Sequence, residues 1–321
     1  MGKVAFLFAG QGSQRPGMGK ELAAVSPAAR AVFDAADAAR SGTSAQCFGG
    51  TKEELAQTAN TQPCVYAVDL ACARALAERG VEPDLVAGFS LGEVAALTFA
   101  GAFSDEDGFR LVCRRAELMA DAAAERPGAM RAVVKLDAAQ VEKLAAESAA
   151  ATDGDCWPVN YNSPLQTVVA GSPAACAKLD ELVHEAGGRA MKVAVSGAFH
   201  SPYMADAARG LSDYLAQGHA PAATRVPVLA NRTARPYPAD PAAASELLSA
   251  QVANPVRWTE TVRAMADAGV DAFVEVGPGK TLTGLVKRTL EGTRLYHVET
   301  PEELDEAVAA LAAKGGARDA E

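Results

Sequence analysis

"AGFSLGEV", residues Ala87 to Val94, sets Ser90 between Gly88 and Gly92. Ahead of it lies "DLVAGF", a short apolar run that reads as a buried strand, and behind it "LGEVAALTFA", which has helical composition. A G-x-S-x-G pattern between strand and helix describes a nucleophile elbow, in which the serine hydroxyl stands exposed at the carboxyl edge of a sheet. The flanking glycines are expected to let the chain turn sharply. The helix N-terminus then aims free N–H groups at an oxyanion, the Leu91 amide being one donor. An ordinary serine in a glycine-rich connection fits the same eight residues, so the pattern by itself leaves both readings open.

Outward from this stretch the chain alternates strands and helices. "KVAFLFAG", from Lys3 to Gly10, is apolar on both faces, as a strand inside a parallel sheet must be. Residues 62–79 predict a helix with Pro63 in its first turn and Gly80 as its stop. A second long helix opens on Ser104 with acidic residues in its first turn, and it places Arg115 and Met119 four apart on one face.

Between 127 and 197 the rhythm changes to β-α-β-β-α-β, the order of a ferredoxin-like unit. The expected fold is therefore α/β: a main α/β-hydrolase-like subdomain with a parallel sheet, made of residues 1–126 and 198–313, plus an inserted ferredoxin-like subdomain at 127–197. Residues 314–321, "KGGARDAE", read as a disordered tail. No period recurs, which excludes a solenoid.

The 321 residues are 49% apolar, enough for a sizeable core, and the formal net charge of −10 argues against a broad grip on nucleic acid or anionic lipid. Six cysteines, Cys47, Cys64, Cys72, Cys113, Cys156 and Cys176, form no C-x-x-C pair and read as free thiols in a reducing compartment. No apolar run reaches membrane-spanning length and the N-terminus does not read as a signal peptide, so the expected location is cytoplasmic. "EVGPGKT" resembles a phosphate loop but carries Val274 where that loop needs glycine, and it reads as a strand-to-helix turn.

A serine nucleophile needs a base, and only His184, His200, His219 and His297 are available. His184 falls in a helix of the inserted unit, His219 in a polar loop and His297 in a strand. His200, in "GAFHSPYM" at the return to the main sheet, is the best placed.

The blocks "FAGQGSQRPGMG", "NTQPCVYA", "GFSLGE", "RRAELM", "VNYNSP", "GAFHSPYM", "QVANPVRW" and "VEVGPGKTLTGL" resemble, in order and spacing, those of the malonyl-CoA:acyl-carrier-protein transacylases, acyltransferases of bacterial fatty-acid synthesis. The resemblance runs from about residue 3 to about 290, and it includes the inserted ferredoxin-like unit.

The resemblance implies that Ser90 carries the acyl group and that His200 is its base. It implies an oxyanion hole from the backbone amides of Gln11 and Leu91. Arg115 would grip the malonyl carboxylate, a task suited to a planar guanidinium fork. The backbone near Gln251 would orient His200, giving a Ser/His dyad, since the sequence offers no acidic triad partner near the right place. Met119, Phe199, Gln62 and Asn160 would line the substrate pocket, with turn capping an alternative for Gln62 and Asn160. Phe199 ahead of the base favours malonyl over methylmalonyl.

Two positions depart from the family pattern: Phe89 stands where most relatives have histidine, and Gly197 replaces another histidine. The implied partners are malonyl-CoA and holo acyl carrier protein, with no metal, cofactor, nucleic acid or membrane and a monomeric state. Lys280, Lys287, Arg288, Arg189 and Lys192 are the candidate docking patch for an acidic carrier.

Overall fold

The structure, a computed structural model, describes residues 2–195 and 197–311. The expected tail at 314–321 and the expected end of the main subdomain at 313 lie outside the described residues.

Nine strands are assigned among the described residues: β1 Lys3–Phe8, β2 Leu85–Gly88, β3 Ala129–Val134, β4 Cys156–Ser163, β5 Gln166–Gly171, β6 Arg189–Lys192, β7 Val228–Leu229, β8 Val270–Val276 and β9 Arg294–Val298. They form a five-stranded sheet in the order β7-β2-β1-β8-β9 and a four-stranded sheet in the order β4-β5-β3-β6. All pairings in the first sheet are parallel. All in the second are antiparallel, and its order matches the ferredoxin-like topology.

The central strand shows why the larger sheet needs helices on both faces. Val4, Phe6 and Phe8 point into one core, where Phe99 of the helix Gly92–Phe99 meets Phe6 and Phe8 at ring-centroid distances of 5.7 and 5.8 Å. Ala5 and Leu7 point to the other, with Trp258, Val262 and Leu285. Alternation along a strand buried on both sides thus fills two cores at once. The smaller sheet has its own core, in which Val133 and Val169 pack on Val141, Leu179 and Val183 of the two helices Ala138–Thr152 and Pro173–Glu185.

Three boundaries differ from expectation. The helix containing Pro63 runs Thr58–Glu78, so the proline is its sixth residue and lies inside the helix rather than in its first turn. The turn before it is held instead by the Asn60 and Thr61 amides, which donate to the Gln57 carbonyl at 2.8 Å. β6 stops at Lys192 and leaves Val193 and Val195 free to line a cavity. β7 keeps only two residues of its apolar run. Among the described residues no helix is long and apolar enough to cross a membrane.

Candidate active site

Ser90 sits at the end of β2, before the helix Gly92–Phe99, with its backbone in the left-handed region at φ 56°. Gly88 and Gly92 do not share that conformation, which corrects the expectation that the glycines make the turn. Their role is close approach. A Cβ on Gly88 would run into the Gly92 carbonyl, and one on Gly92 into the Phe8 and Ala9 carbonyls of the neighbouring strand. Glycine therefore lets the elbow press onto the sheet, while Ser90 itself takes the strained angle.

The Ser90 hydroxyl lies 2.7 Å from His200 Nε2. His200 is also left-handed, at φ 61°, and its Nδ1 donates to the Gln251 carbonyl at 3.0 Å. That bond leaves Nε2 as the acceptor facing Ser90. His184 and His219 are exposed, the latter stacked on Tyr214. His297 contacts Glu303 and the Gly277 carbonyl instead.

Arg115 reaches the same hydroxyl from the long helix Asp105–Glu125: Nη2 donates to Ser90 Oγ at 3.2 Å and to Gln251 Oε1 at 2.9 Å, and Nη1 to Gln62 Oε1 at 2.6 Å. The residue is fully buried and its Nε–H has no acceptor among the described residues. Burial lowers its pKa to about 10, so it stays charged at neutral pH. Burial first, and then the nearby Arg115 charge, depress His200 to about 4. Its imidazole is consequently neutral near pH 7 and available as a base.

A cavity of about 320 Å³ opens on Ser90 and His200, walled by Gln11, Phe89, Met119, Phe199, Asn160 and residues of the smaller sheet, with Arg115 buried behind Ser90 rather than in its wall. Asn160 is a strand residue, not a turn cap. Gln62 stands behind Arg115, in the helix Thr58–Glu78, and its Nε2 is 3.5 Å from Met119 Sδ. Gly12, at φ 105°, lets the loop after β1 turn, whereas Gly10 lets that loop approach Phe89. The Gln11 and Leu91 amides have no backbone acceptor among the described residues. The "EVGPGKT" turn leads from β8 into the helix Thr281–Thr289, whose Leu282, Leu285 and Arg288 face the cavity. Among the described residues no group of three or more His, Cys, Asp or Glu side chains is placed to hold a metal ion.

Three residues that sequence reasoning missed stand directly behind the elbow: Glu93, Asn231 and Tyr237, all buried. Glu93 did leave a signal, since it is the one charged residue in the apolar run "LGEVAALTFA". Asn231 and Tyr237 left none.

Residues 5–314 match the acyl transferase domain family. The chain is similar to the malonyl CoA-acyl carrier protein transacylase of Bacillus subtilis, at 38% identity over 97% of this chain and 98% of that protein. Its fold is similar to the acyl-carrier-protein S-malonyltransferase of Burkholderia pseudomallei, with a TM-score of 0.91, 39% identity and coverage of 96% and 99% of the two chains. It is also similar, at a TM-score of 0.91, 35% identity and coverage of 96% and 99%, to a malonyl-transacylase solved in complex with its type II PKS acyl-carrier protein.

Proposed function

The chain belongs to the acyl transferase family, and from that premise we propose that it moves the malonyl group of malonyl-CoA to the phosphopantetheine thiol of holo acyl carrier protein through an ester on Ser90. The observation that carries this reading is the meeting of two groups on one hydroxyl: His200 Nε2 at 2.7 Å and Arg115 Nη2 at 3.2 Å from Ser90 Oγ.

In the first half-reaction His200 Nε2 takes the Ser90 proton as Oγ attacks the thioester carbonyl. The Gln11 and Leu91 amides hold the resulting oxyanion. The C–S bond then breaks and His200 returns the proton to the departing thiolate. In the second half-reaction the carrier thiol gives its proton to His200 and attacks the ester, and the leaving Ser90 oxygen recovers it. Both halves use one site, so the kinetics are ping-pong.

Arg115 selects the acyl group. A carboxylate beside it accepts charge-assisted hydrogen bonds from a guanidinium that has an unused Nε–H. A neutral acyl group leaves that buried charge uncompensated. Carboxylate binding also offsets the field that depresses His200, so the base strengthens when the right substrate is present. Phe199 in the wall favours malonyl over its α-methyl homologue.

Carrier docking is assigned to the cavity mouth. Arg288 lines it and donates to Gln166 Oε1 at 3.4 Å, and Lys287, Arg189 and Lys192 are exposed. Lys280 is ion-paired with Glu303 at 2.7 Å and is the weakest member of the expected patch. Supply of malonyl for fatty-acid synthesis is the primary reading. Supply of a polyketide carrier is the second, favoured by the similarity to a malonyl-transacylase of that system.

The test is to incubate the protein with malonyl-CoA, record its intact mass, and then add holo carrier protein. A malonyl adduct absent in Ser90→Ala and transferred to the carrier is expected. Loss of the adduct to water before the carrier is added would make the protein a thioesterase, and no adduct would leave it a scaffold.

A further inference from the structure

Left-handed backbone is unfavourable for serine, so Ser90 must be held there. Its peptide groups are gripped from both sides. The Ser90 N–H donates to Asn231 Oδ1 at 2.8 Å, and the Ser90 carbonyl accepts from Gln251 Nε2, also at 2.8 Å. Asn231 Nδ2 in turn donates to the Gly88 carbonyl at 2.6 Å, so one side-chain amide ties the backbone on both sides of Phe89. Gln251 Nε2 braces Asn231 Oδ1 at 3.2 Å. The Asn231 backbone N–H donates to Glu93 Oε2 at 2.6 Å, and the Tyr237 hydroxyl donates to Glu93 Oε1.

We propose that Asn231, fixed by the Glu93 carboxylate, is a positioning residue that keeps Ser90 in its left-handed, attack-ready conformation. The proposal rests on the reading of Ser90 as the acyl-bearing nucleophile. Neither residue is assigned to the reacting atoms: Asn231 touches the elbow's backbone, the Gln251 side chain and Glu93, and Glu93 touches Asn231 and Tyr237. Glu93 belongs to the elbow's own helix, one turn beyond Ser90, so the segment that carries the nucleophile also carries the anchor for its clamp.

The titratable groups facing Glu93 are Tyr237 on one side and Arg115 beyond Gln251. Burial pushes its carboxyl up to about 7, against the lowering effect of the Tyr237 and Asn231 hydrogen bonds. Above that pH the carboxylate is a strong acceptor for the Asn231 amide. Below it the neutral acid is a weaker one.

Two variants test this, each measured for acylation by malonyl-CoA and for labelling of Ser90 by a small fluorophosphonate, which has no carboxylate for Arg115. Asn231→Ala is expected to lower kcat about 100-fold with KM for malonyl-CoA within about threefold, and to slow labelling by a similar factor, because only the nucleophile's placement is lost. Glu93→Gln mimics the protonated acid. It should run about fivefold slower than the parent near pH 8 and stay level down to about pH 6, while the parent falls to meet it. The double variant should be no slower than Asn231→Ala alone, since both act through one clamp.

A folded Asn231→Ala protein with kcat and labelling within about threefold of the parent overturns the proposal. So does a Glu93→Gln profile that keeps the parent's acid limb, and this second variant decides the matter if Asn231→Ala does not fold. If the parent forms no malonyl adduct, the transacylase reading fails instead, and fluorophosphonate labelling still tests the clamp.

Discussion

The two sheets divide the labour at the cavity unequally. Among the described residues, every side chain that touches the Ser90 hydroxyl comes from the chain around the parallel sheet: His200 and Arg115 directly, with Gln62 and Gln251 holding Arg115. The antiparallel sheet supplies wall alone: Met130, Ala132, Asn160, Asn162, Gln166 and Val168. A parallel sheet buried on both faces holds its loops against two cores, which suits groups that must stay within a few tenths of an ångström. The smaller unit can vary its surface without disturbing them. Substitutions on the two sides should therefore fail differently, the first in chemistry and the second in substrate or carrier recognition.

Arg115→Ala offers the largest contrast. Malonyl transfer should fall about 10²–10³-fold in kcat/KM, while acetyl transfer stays level or rises because no buried charge is left uncompensated. His200 should also titrate higher. Its folded pKa of about 4 is depressed partly by Arg115, and removing that charge relieves one of the two causes, which an NMR titration of the ring reads directly. An equal fall for malonyl and acetyl would assign Arg115 to holding Ser90 and would take carboxylate recognition away from it.

A smaller effect is expected at the mouth. Reversing Lys287 and Arg288 to glutamate should raise KM for holo carrier protein by about tenfold and leave formation of the malonyl adduct within about twofold, the behaviour of rim charges. Lys280→Glu, which breaks a pair with Glu303, should do less. An unchanged carrier KM in the double variant removes this patch from the docking surface, and slowed adduct formation would mean that the mouth shapes the chemistry as well.

Much of this division is legible in the sequence because it rests on local patterns. Buried strands such as Lys3–Phe8 announce themselves as short apolar runs, and the four strands and two helices of the smaller unit follow their periodicities. Contacts between distant positions are not legible in that way. Asn231 is 141 residues from the Ser90 amide it accepts from, and nothing local in "LANRTARP" marks it. The glycine reading failed for a related reason: a pattern shows where glycine stands, but only the fold shows whether it is needed for a backbone angle or for the approach of a neighbouring strand. Pro63 misled because Thr58, Asn60 and Thr61 are weak helix formers, and the turn they make is closed by the Asn60 and Thr61 amides on the Gln57 carbonyl, with Thr58 and Thr61 buried.

Phe89 gives the finest test of the comparison, because it belongs to the chemical side by position and to the wall by contact. It is adjacent to Ser90 and faces the cavity, yet its ring packs edge-to-face on Trp258 at 5.3 Å and 69°. No bond to Ser90 Oγ, His200 or Arg115 involves it. Trp258 Nε1 is buried without an acceptor among the described residues, so an imidazole at position 89 could accept that N–H while losing part of the apolar contact. These two changes oppose each other, and Phe89→His should alter kcat/KM by less than about threefold, with any gain showing in thermal stability. If contact rather than position decides, that is the result. A hundredfold rise, worth about 2.7 kcal/mol of transition-state stabilisation, would instead mean that the elbow works below its capacity with phenylalanine, and that the chemical side extends one residue further than its hydrogen bonds indicate.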